Sequence, residues 1–327
     1  MNIIRKEIRG YKCRYYFLGI KVCTRPLRPE YEKAFRGRFK SLNLTQARII
    51  LETQFEASLG YTPDLEHPQT FNEKLQWLKL YYHNPLLTLC ADKYKVREYV
   101  KEKIGEEYLV PMLGVWENAE DVDFDTLPNE FAMKVNWGSG QNIICPDKSA
   151  LNIAQAREDL KNWMRPEGNH YYNFLEWGYK NIEPKIIAET YLNASGLPVK
   201  DYKFFCFHGE PQFLYVATDS WDSEKTRISY FDMNMQQIDL TRRDYPNLAQ
   251  DIAMPAMWDA MVEMARILAE PFPFVRVDFM QLGEKLYFGE LTFCPTAGLQ
   301  AFVPDKWDKI FGDHLILTED LNTTTYQ

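Results

Sequence analysis

Residues 274–298, FVRVDFMQLGEKLYFGELTFCPTAG, read as two strands joined at Gly283-Glu284. Phe274, Val275, Val277 and Phe279 supply one apolar run, and Leu286, Tyr287, Phe288 and Leu291 the next. Arg276, Asp278 and Glu290 interrupt those runs with charge. Strand residues two apart share a face, so Arg276 and Asp278 point the same way, and Glu290 joins them from the neighbouring strand. A charge buried alone costs several kcal/mol. Either the three form an ion-paired network inside a sheet, or two carboxylates hold Mg²⁺ beside an arginine that meets developing negative charge.

Working outward, residues 255–270 carry Met257, Met261, Met264, Ile267 and Leu268 as one helical stripe, which reads as core. VKDYKFFCFHGEPQFLYVATD (199–219) gives two strands joined at Gly209, with Asp201 and Lys203 on one face. A strand at 227–233 and a helix around Trp307 complete the C-terminal part. KIIAETYL (185–192) is a strand that ends in Glu189-Thr190-Tyr191-Leu192. FAMKVNWGSGQNIIC (131–145) is strand, turn, strand, with Lys134 inside the first strand. Gly138-Ser139-Gly140 lets backbone amides approach an anion, so lysine and turn suit a polyphosphate; the same turn also serves ordinary hairpins. It is not a GxxxxGK[ST] loop.

Further upstream, residues 91–105 (ADKYKVREYVKEKIG) form a helix capped by Asp92. Lys93 then stands at its first turn, against the helix dipole, where it is either functional or simply exposed. A strand is expected over 108–116, an acidic loop after it, a helix over 151–165 and an aromatic stretch at 171–180. Thr70 and Glu73 make a capping box for a helix presenting Leu75, Trp77, Leu78 and Tyr81. Helices at about 30–40 and 44–58 and a hairpin over Tyr15–Cys23, turning at Gly19, complete the expectations.

The 327 residues allow one large or two ordinary domains. No run reaches the length of a membrane span, and the N-terminus lacks the pattern of a secretory signal. Six scattered cysteines without CxxC spacing read as reduced thiols of a cytoplasmic protein. The net charge of −8 is uneven: residues 1–40 hold twelve Lys or Arg against three Glu, which leaves −17 for the rest. That basic arm either meets anionic lipid or glycan, placing the protein at the inner face of the membrane, or packs on its own acidic body. Nucleic acid is a poor partner for such a body.

TFNEKLQWLKLYY (70–82), LCADKYKVREYV (89–100), DYKFFCFHGEP (201–211) and FGELTFCPTAG (288–298) together resemble the TupA-like ATP-grasp family of cell-surface polysaccharide and teichuronopeptide biosynthesis. The resemblance implies an α+β ATP-grasp fold, two subdomains clamping ATP, behind a basic and helical N-terminal extension. The expected division is 1–65 (arm and helices), 66–192 (first subdomain) and 193–327 (second subdomain with the metal site). It implies Lys93 and Lys134 on phosphates and the turn Gly138, Ser139, Gly140 over the γ-phosphate. Glu189 and Leu192 fall at the adenine hinge, and Asp201 at the ribose. Asp278 and Glu290 match the Mg²⁺ ligands, with Thr292 where the superfamily carries Asn. Arg276 matches the arginine that steadies the acyl-phosphate, and Lys203 joins it as a catalytic candidate.

The implied reaction is ATP-dependent joining of a carboxylate, expected to be a uronic acid of a surface glycan or its precursor, to an amino acid or other amine. Three rivals stand beside it. A glycosyltransferase would use the DxD forms at Asp121-Val122-Asp123-Phe124-Asp125, although no apolar strand leads into them. A kinase on the same fold would stop after phosphoryl transfer. A non-catalytic partner of an assembly complex would leave the set idle.

Overall fold

The computed structural model describes residues 42–192, 199–220, 224–249 and 252–326, together with the backbone of three strands within the first 26 residues. Those strands, β1 (Ile4–Arg9), β2 (Lys12–Phe17) and β3 (Ile20–Pro26), form an antiparallel sheet. The expected hairpin is its β2–β3 half, with Phe17 opposite Ile20. The strand β1 was not expected. The helix expected at 30–40 lies outside the described residues.

Beyond them come α1 (Leu44–Leu59), α2 (Phe71–Tyr81), α3 (Pro85–Ala91) and α4 (Val96–Lys103). The strands β4 (Met112–Trp116), β5 (Phe131–Val135) and β6 (Asn142–Cys145) follow, then α5 (Ile153–Trp163), α6 (His170–Phe174) and β7 (Ile186–Thr190). The chain ends with β8 (Val199–Phe207), β9 (Glu210–Thr218), β10 (Arg227–Asp232), α7 (Trp258–Ala269), β11 (Phe274–Leu282), β12 (Lys285–Thr292) and α8 (Lys306–His314). Two further antiparallel sheets result, ordered β4-β7-β5-β6 and β10-β9-β8-β11-β12.

The larger sheet is covered differently on its two faces. Val275, Val277 and Phe279 of β11, with Tyr202, Phe204 and Cys206 of β8, bury one face beneath Met261, Ala265 and Leu268 of α7. The methionine stripe is therefore core, as its spacing predicts. On the other face the apolar end, Phe205, Phe207 and Phe274, packs on Phe71 of α2 and Phe311 of α8 with ring centroids 4.8–6.1 Å apart. Its charged end, Lys203, Arg276 and Asp278, is left to a cavity.

Strict alternation along β12 would put Leu286, Phe288 and Glu290 on a single face. The register instead slips between Asp278/Glu290 and Phe279/Phe288, leaving Gly289 unpaired as a bulge. Phe288 thereby joins the core opposite Phe279, while Glu290 faces the cavity opposite Asp278. A Cβ at Gly289 would approach the Asp278 carbonyl to 3.1 Å, so the bulge has little room for a side chain.

The capping box of α2 is present, the Thr70 hydroxyl accepting from the Glu73 amide and Glu73 accepting from the Thr70 amide. Unlike an ordinary amphipathic helix, α2 buries its polar residues too. Gln76 donates to the Gly298 carbonyl (2.8 Å), and Asn72 to the Gln300 carbonyl (2.8 Å) and Asp308 (2.9 Å). Packing also departs from chain order: α2, α3 and α4 share the core of the larger sheet, whereas α5 packs on the smaller one.

Two local expectations fail. The strand expected over 108–116 begins only at Met112, after a 3₁₀ turn at Glu106–Tyr108. No helix starts at Asp92. The helix α3 stops at Ala91, residues 92–95 turn, and α4 begins at Val96. Asp92 caps the turn instead, accepting from the amides of Tyr94 (2.9 Å) and Lys95 (3.3 Å). Lys93 thus escapes the opposing dipole altogether.

Candidate functional site

Across four adjacent strands, β9, β8, β11 and β12, the register aligns Tyr215, Lys203, Asp278 and Glu290 in one row. The next row places Arg276 opposite Thr292. Opposed side chains of antiparallel strands stand on the same face, so a polar cluster forms from register alone. Arg276 grips Asp278 with two bonds of 2.7 Å and reaches Glu290 (3.1 Å) and the Thr292 hydroxyl (3.0 Å). Lys203 meets the second oxygen of Asp278 at 2.5 Å. The Arg276 guanidinium also lies over the Tyr215 ring, 5.7 Å from its centroid.

Lys93 enters from the turn before α4 and pairs with Glu290 at 3.3 Å. Its position is set by Asn136, fully buried at the end of β5. The Asn136 side chain donates to Asp92 (2.9 Å) and accepts from the Lys185 amide (2.8 Å), while its carbonyl accepts from the Lys93 amide (3.0 Å). Two segments, the Lys93 turn and the residues that lead into β7, are thus pinned to Asn136, a residue that the sequence pattern alone does not single out.

Lys93, Lys203, Tyr215, Arg276, Glu290 and Thr292 line a cavity of about 530 Å³, whose wall also includes Ser139, His170, Glu176 and Arg242. Burial opposes ionisation of Glu290, yet Lys93, Lys203, Arg276 and the Thr292 hydroxyl prevail and hold its carboxyl well below the ordinary range. Burial likewise opposes charge on Lys203, and Asp278 more than restores it. Three basic side chains, Lys93, Lys203 and Arg276, therefore face the two acidic ones, Asp278 and Glu290.

A second cavity of about 240 Å³ lies between the smaller sheet and β8, lined by Met133, Lys134, Glu189, Tyr191, Leu192 and Asp201 among others. Here Lys134 meets Glu189 at 2.6 Å, and Arg97 of α4 takes the other oxygen at 3.1 Å. The Glu189 side chain is thus occupied by two cations. Asp201 is buried and bonded to the Ser220 hydroxyl; burial pushes its carboxyl up, against the pull of Lys203 and Ser220. Ser220 lines both cavities and so marks where they meet.

Every site residue expected from sequence lies at one of these cavities or, for Asp278 and the glycines, beside them. Gly140 has φ +69°, the left-handed conformation that suits glycine in its turn. The Asp121–Asp125 segment runs through two short 3₁₀ turns, Ala119–Asp121 and Phe124–Thr126, and belongs to neither lining, with Arg157 donating to the carbonyls of Ala119, Glu120 and Val122. Sequence reading missed Arg97, Asn136, His170, Glu176, Ser220 and Arg242, which come from helices, turns and loops whose contacts have no periodic signature.

For Mg²⁺, Asp278, Glu290 and Thr292 offer hard oxygen donors on neighbouring strands, the ligand type this ion takes. Among the described residues no group of three or more His, Cys, Asp or Glu gathers as a metal cage. Two carboxylates fit an ion that completes its shell with water and substrate phosphate.

No curated protein matches the chain. Among solved structures it is similar to D-alanine–D-alanine ligase from Bacillus anthracis complexed with ATP, with 15% identity, 68% of this chain and 62% of that chain covered, and a TM-score of 0.40. For a second structure of the same Bacillus anthracis enzyme the figures are 17%, 75%, 70% and 0.43. For the ATP-grasp ligase PsnB complexed with minimal precursor, Mg and ADP they are 13%, 89%, 76% and 0.37. The chain thus spans less than two thirds of the ATP-complexed ligase that it matches. The model of the TupA-like ATP-grasp family matches residues 73–316, most of the chain, and the protein belongs to that family, with its α+β ATP-grasp fold.

Proposed function

We propose that the protein is an ATP-dependent carboxylate–amine ligase that works through an acyl-phosphate. ATP-grasp proteins generally use ATP and Mg²⁺. The reading is carried by the two adjoining cavities. The smaller has an apolar lining that includes Met133 and Leu192, with Lys134 at its edge. The larger holds Lys93, Lys203 and Arg276 against Asp278 and Glu290. A purine fits the first and a polyphosphate tail the second, with Asp201 beside the ribose between them.

In this reading Lys93 and Lys134 hold phosphate oxygens, and the turn at 138–140 supplies backbone amides above them. Asp278, Glu290 and Thr292 hold Mg²⁺, which neutralises phosphate charge when bound. Lys203 and Arg276 orient the acceptor carboxylate for in-line attack on the γ-phosphorus, which breaks the bond to the β,γ-bridging oxygen, releases ADP and leaves an acyl-phosphate, and then stabilise the charge of the tetrahedral intermediate. An amine attacks the acyl carbon, and phosphate leaves.

The acceptor is a uronic acid of a surface glycan or its precursor, and the amine is an amino acid or similar compound. No described helix is long and apolar enough to cross a membrane. We place the protein in the cytoplasm, with the basic arm of residues 1–40 touching the anionic inner face of the membrane.

The test is release of ADP and phosphate over a panel of uronic acids crossed with amines, the carboxylate labelled with ¹⁸O. An acyl-phosphate route carries label into inorganic phosphate. ADP formed without free phosphate and without an amine would make the protein a kinase, and no ADP with any pair would end the ligase reading.

A further inference from the structure

The wall of the larger cavity carries a pair that phosphate and metal binding leave unused. His170 opens α6, and its Nδ1 lies 2.9 Å from Glu176 Oε1. Glu176 is only 5% exposed. Leu175, in the left-handed conformation at φ 55°, turns the chain so that the carboxylate reaches back six residues to the ring. That conformation is uncommon for a branched side chain and is worth holding only where the surroundings fix it.

The surroundings do fix it. The imidazole sits against Tyr179 (5.1 Å between centroids) and Phe174 (6.0 Å). Asn169 accepts from the Tyr171 amide (2.8 Å) and donates to the Tyr179 carbonyl (2.8 Å), closing the loop on itself. Gln141, just after the Gly-Ser-Gly turn, donates to the Gly168 carbonyl (2.8 Å) and so ties that turn to this loop.

A carboxylate on Nδ1 selects the tautomer with the proton there and leaves the Nε2 lone pair free to accept another. Among the described residues Nε2 has no hydrogen-bond partner. The ring lines the same cavity as Arg276, Glu290 and Thr292.

We propose that His170, oriented by Glu176, takes the proton from the incoming ammonium in the amide-forming half of the reaction. This rests on the ligase reading above. An amine is bound as R–NH₃⁺ at neutral pH and has no lone pair until it loses one proton. His170 Nε2 accepts that proton and Glu176 stabilises the imidazolium. The freed amine attacks the acyl carbon: the C–N bond forms, the C–O bond to phosphate breaks, and the second N–H proton leaves with phosphate as HPO₄²⁻. The imidazolium returns its proton to water.

The experiment compares wild type, His170→Gln and Glu176→Gln with glucuronic acid, MgATP, and either glycine or hydroxylamine. Hydroxylamine is already unprotonated at neutral pH and needs no base. With glycine, amide formation by His170→Gln is expected to fall about 100-fold, a usual loss for a general base. With hydroxylamine the fall should stay under about threefold. Equal losses with both nucleophiles would overturn the proposal, because a loop that merely collapsed would harm both.

A second measurement does not depend on substrate. Nitrogen-15 spectra of labelled histidines in the wild-type protein should show His170 protonated at Nδ1 with Nε2 bare, and Glu176→Gln should perturb that signal. A neutral ring protonated at Nε2 would overturn the proposal even in an active enzyme. Wild type forming neither amide nor hydroxamate with any acid would sink the ligase reading instead, while the spectra still decide how the imidazole is held.

Discussion

Two charge clusters face the two cavities, and they are built by different means. The first, Lys93, Lys203 and Arg276 with Asp278 and Glu290, comes almost entirely from neighbouring strands of a single sheet. The second, Arg97 and Lys134 with Glu189, joins a helix to the smaller sheet. Each carries one more cation than carboxylate. Each is therefore fully paired by itself yet still attractive to an anion. The difference lies in how much of the geometry register holds: four of the five groups in the first cluster stand on paired strands, whereas the second is completed by docking α4, which brings Arg97 to the β5–β7 pair. Register cannot shift by one residue without turning a whole strand face over, so the first cluster is the stiffer. It is the better place for groups that must meet a transition state, and the second for groups that bind substrate and release product.

The largest effect expected from breaking this arrangement is on the first cluster. Glu290→Gln removes a proposed metal ligand and leaves three cations facing one carboxylate. Mg²⁺-dependent ADP release should fall by about 100-fold or more, as when a group that stabilises transition-state charge is lost. The thermal midpoint should fall, because Lys93 loses its carboxylate, but the fold should persist, because Asp278 still pairs with Arg276 and Lys203. Near-normal turnover would reduce the cluster to a sheet-spanning ion network.

In the second cluster Lys134→Ala is the milder change. Glu189 keeps Arg97, so no buried charge is stranded. Calorimetric titration with a non-hydrolysable ATP analogue should show affinity weaker by about tenfold, the value of one charge-assisted contact. Unchanged affinity would remove Lys134 from the phosphate site and leave it as the partner of Glu189.

The contrast also explains what the sequence could disclose. Charges inside 199–219 and 274–292 stand out because alternation makes them anomalous, and alternation fixes the face of Lys203, Arg276 and Asp278. It fails for Glu290, which shares a parity with Leu286 and Phe288 and reaches the cavity only through the bulge at Gly289. Lys134 was visible for the same reason as Lys203. Its partner Arg97 was not, because a charged residue on a helix rich in Lys and Glu is ordinary. His170 and Glu176 are further from sight still, since their pairing depends on one left-handed leucine within an aromatic stretch. Long elements with a clear period were legible. Turns pinned by a single buried side chain, as the Lys93 turn is by Asn136, were not.

Asp201, on the same strand face as Lys203, offers the finest test. Its carboxyl loses the contest that Glu290 wins. Burial is the largest influence and raises it above the ordinary 3.8, with Lys203 and the Ser220 hydroxyl opposing. A raised value in the folded state means that the fold holds this proton more tightly than the unfolded chain does. The resulting cost to stability is absent below pH 3.8, grows as pH rises through the shifted value, and is complete above it. Asp201→Asn should therefore resist urea better than wild type at pH 7, and the advantage should narrow as pH is lowered. Asparagine keeps an acceptor for Ser220 but loses the charged acceptor proposed for a ribose hydroxyl, so affinity for the ATP analogue should fall about threefold to tenfold. A gain in stability with a loss in affinity would identify a carboxylate kept for binding at the expense of folding. A loss of both would instead make Asp201 a structural partner of the cationic row, extending the first cluster by one residue toward the second cavity.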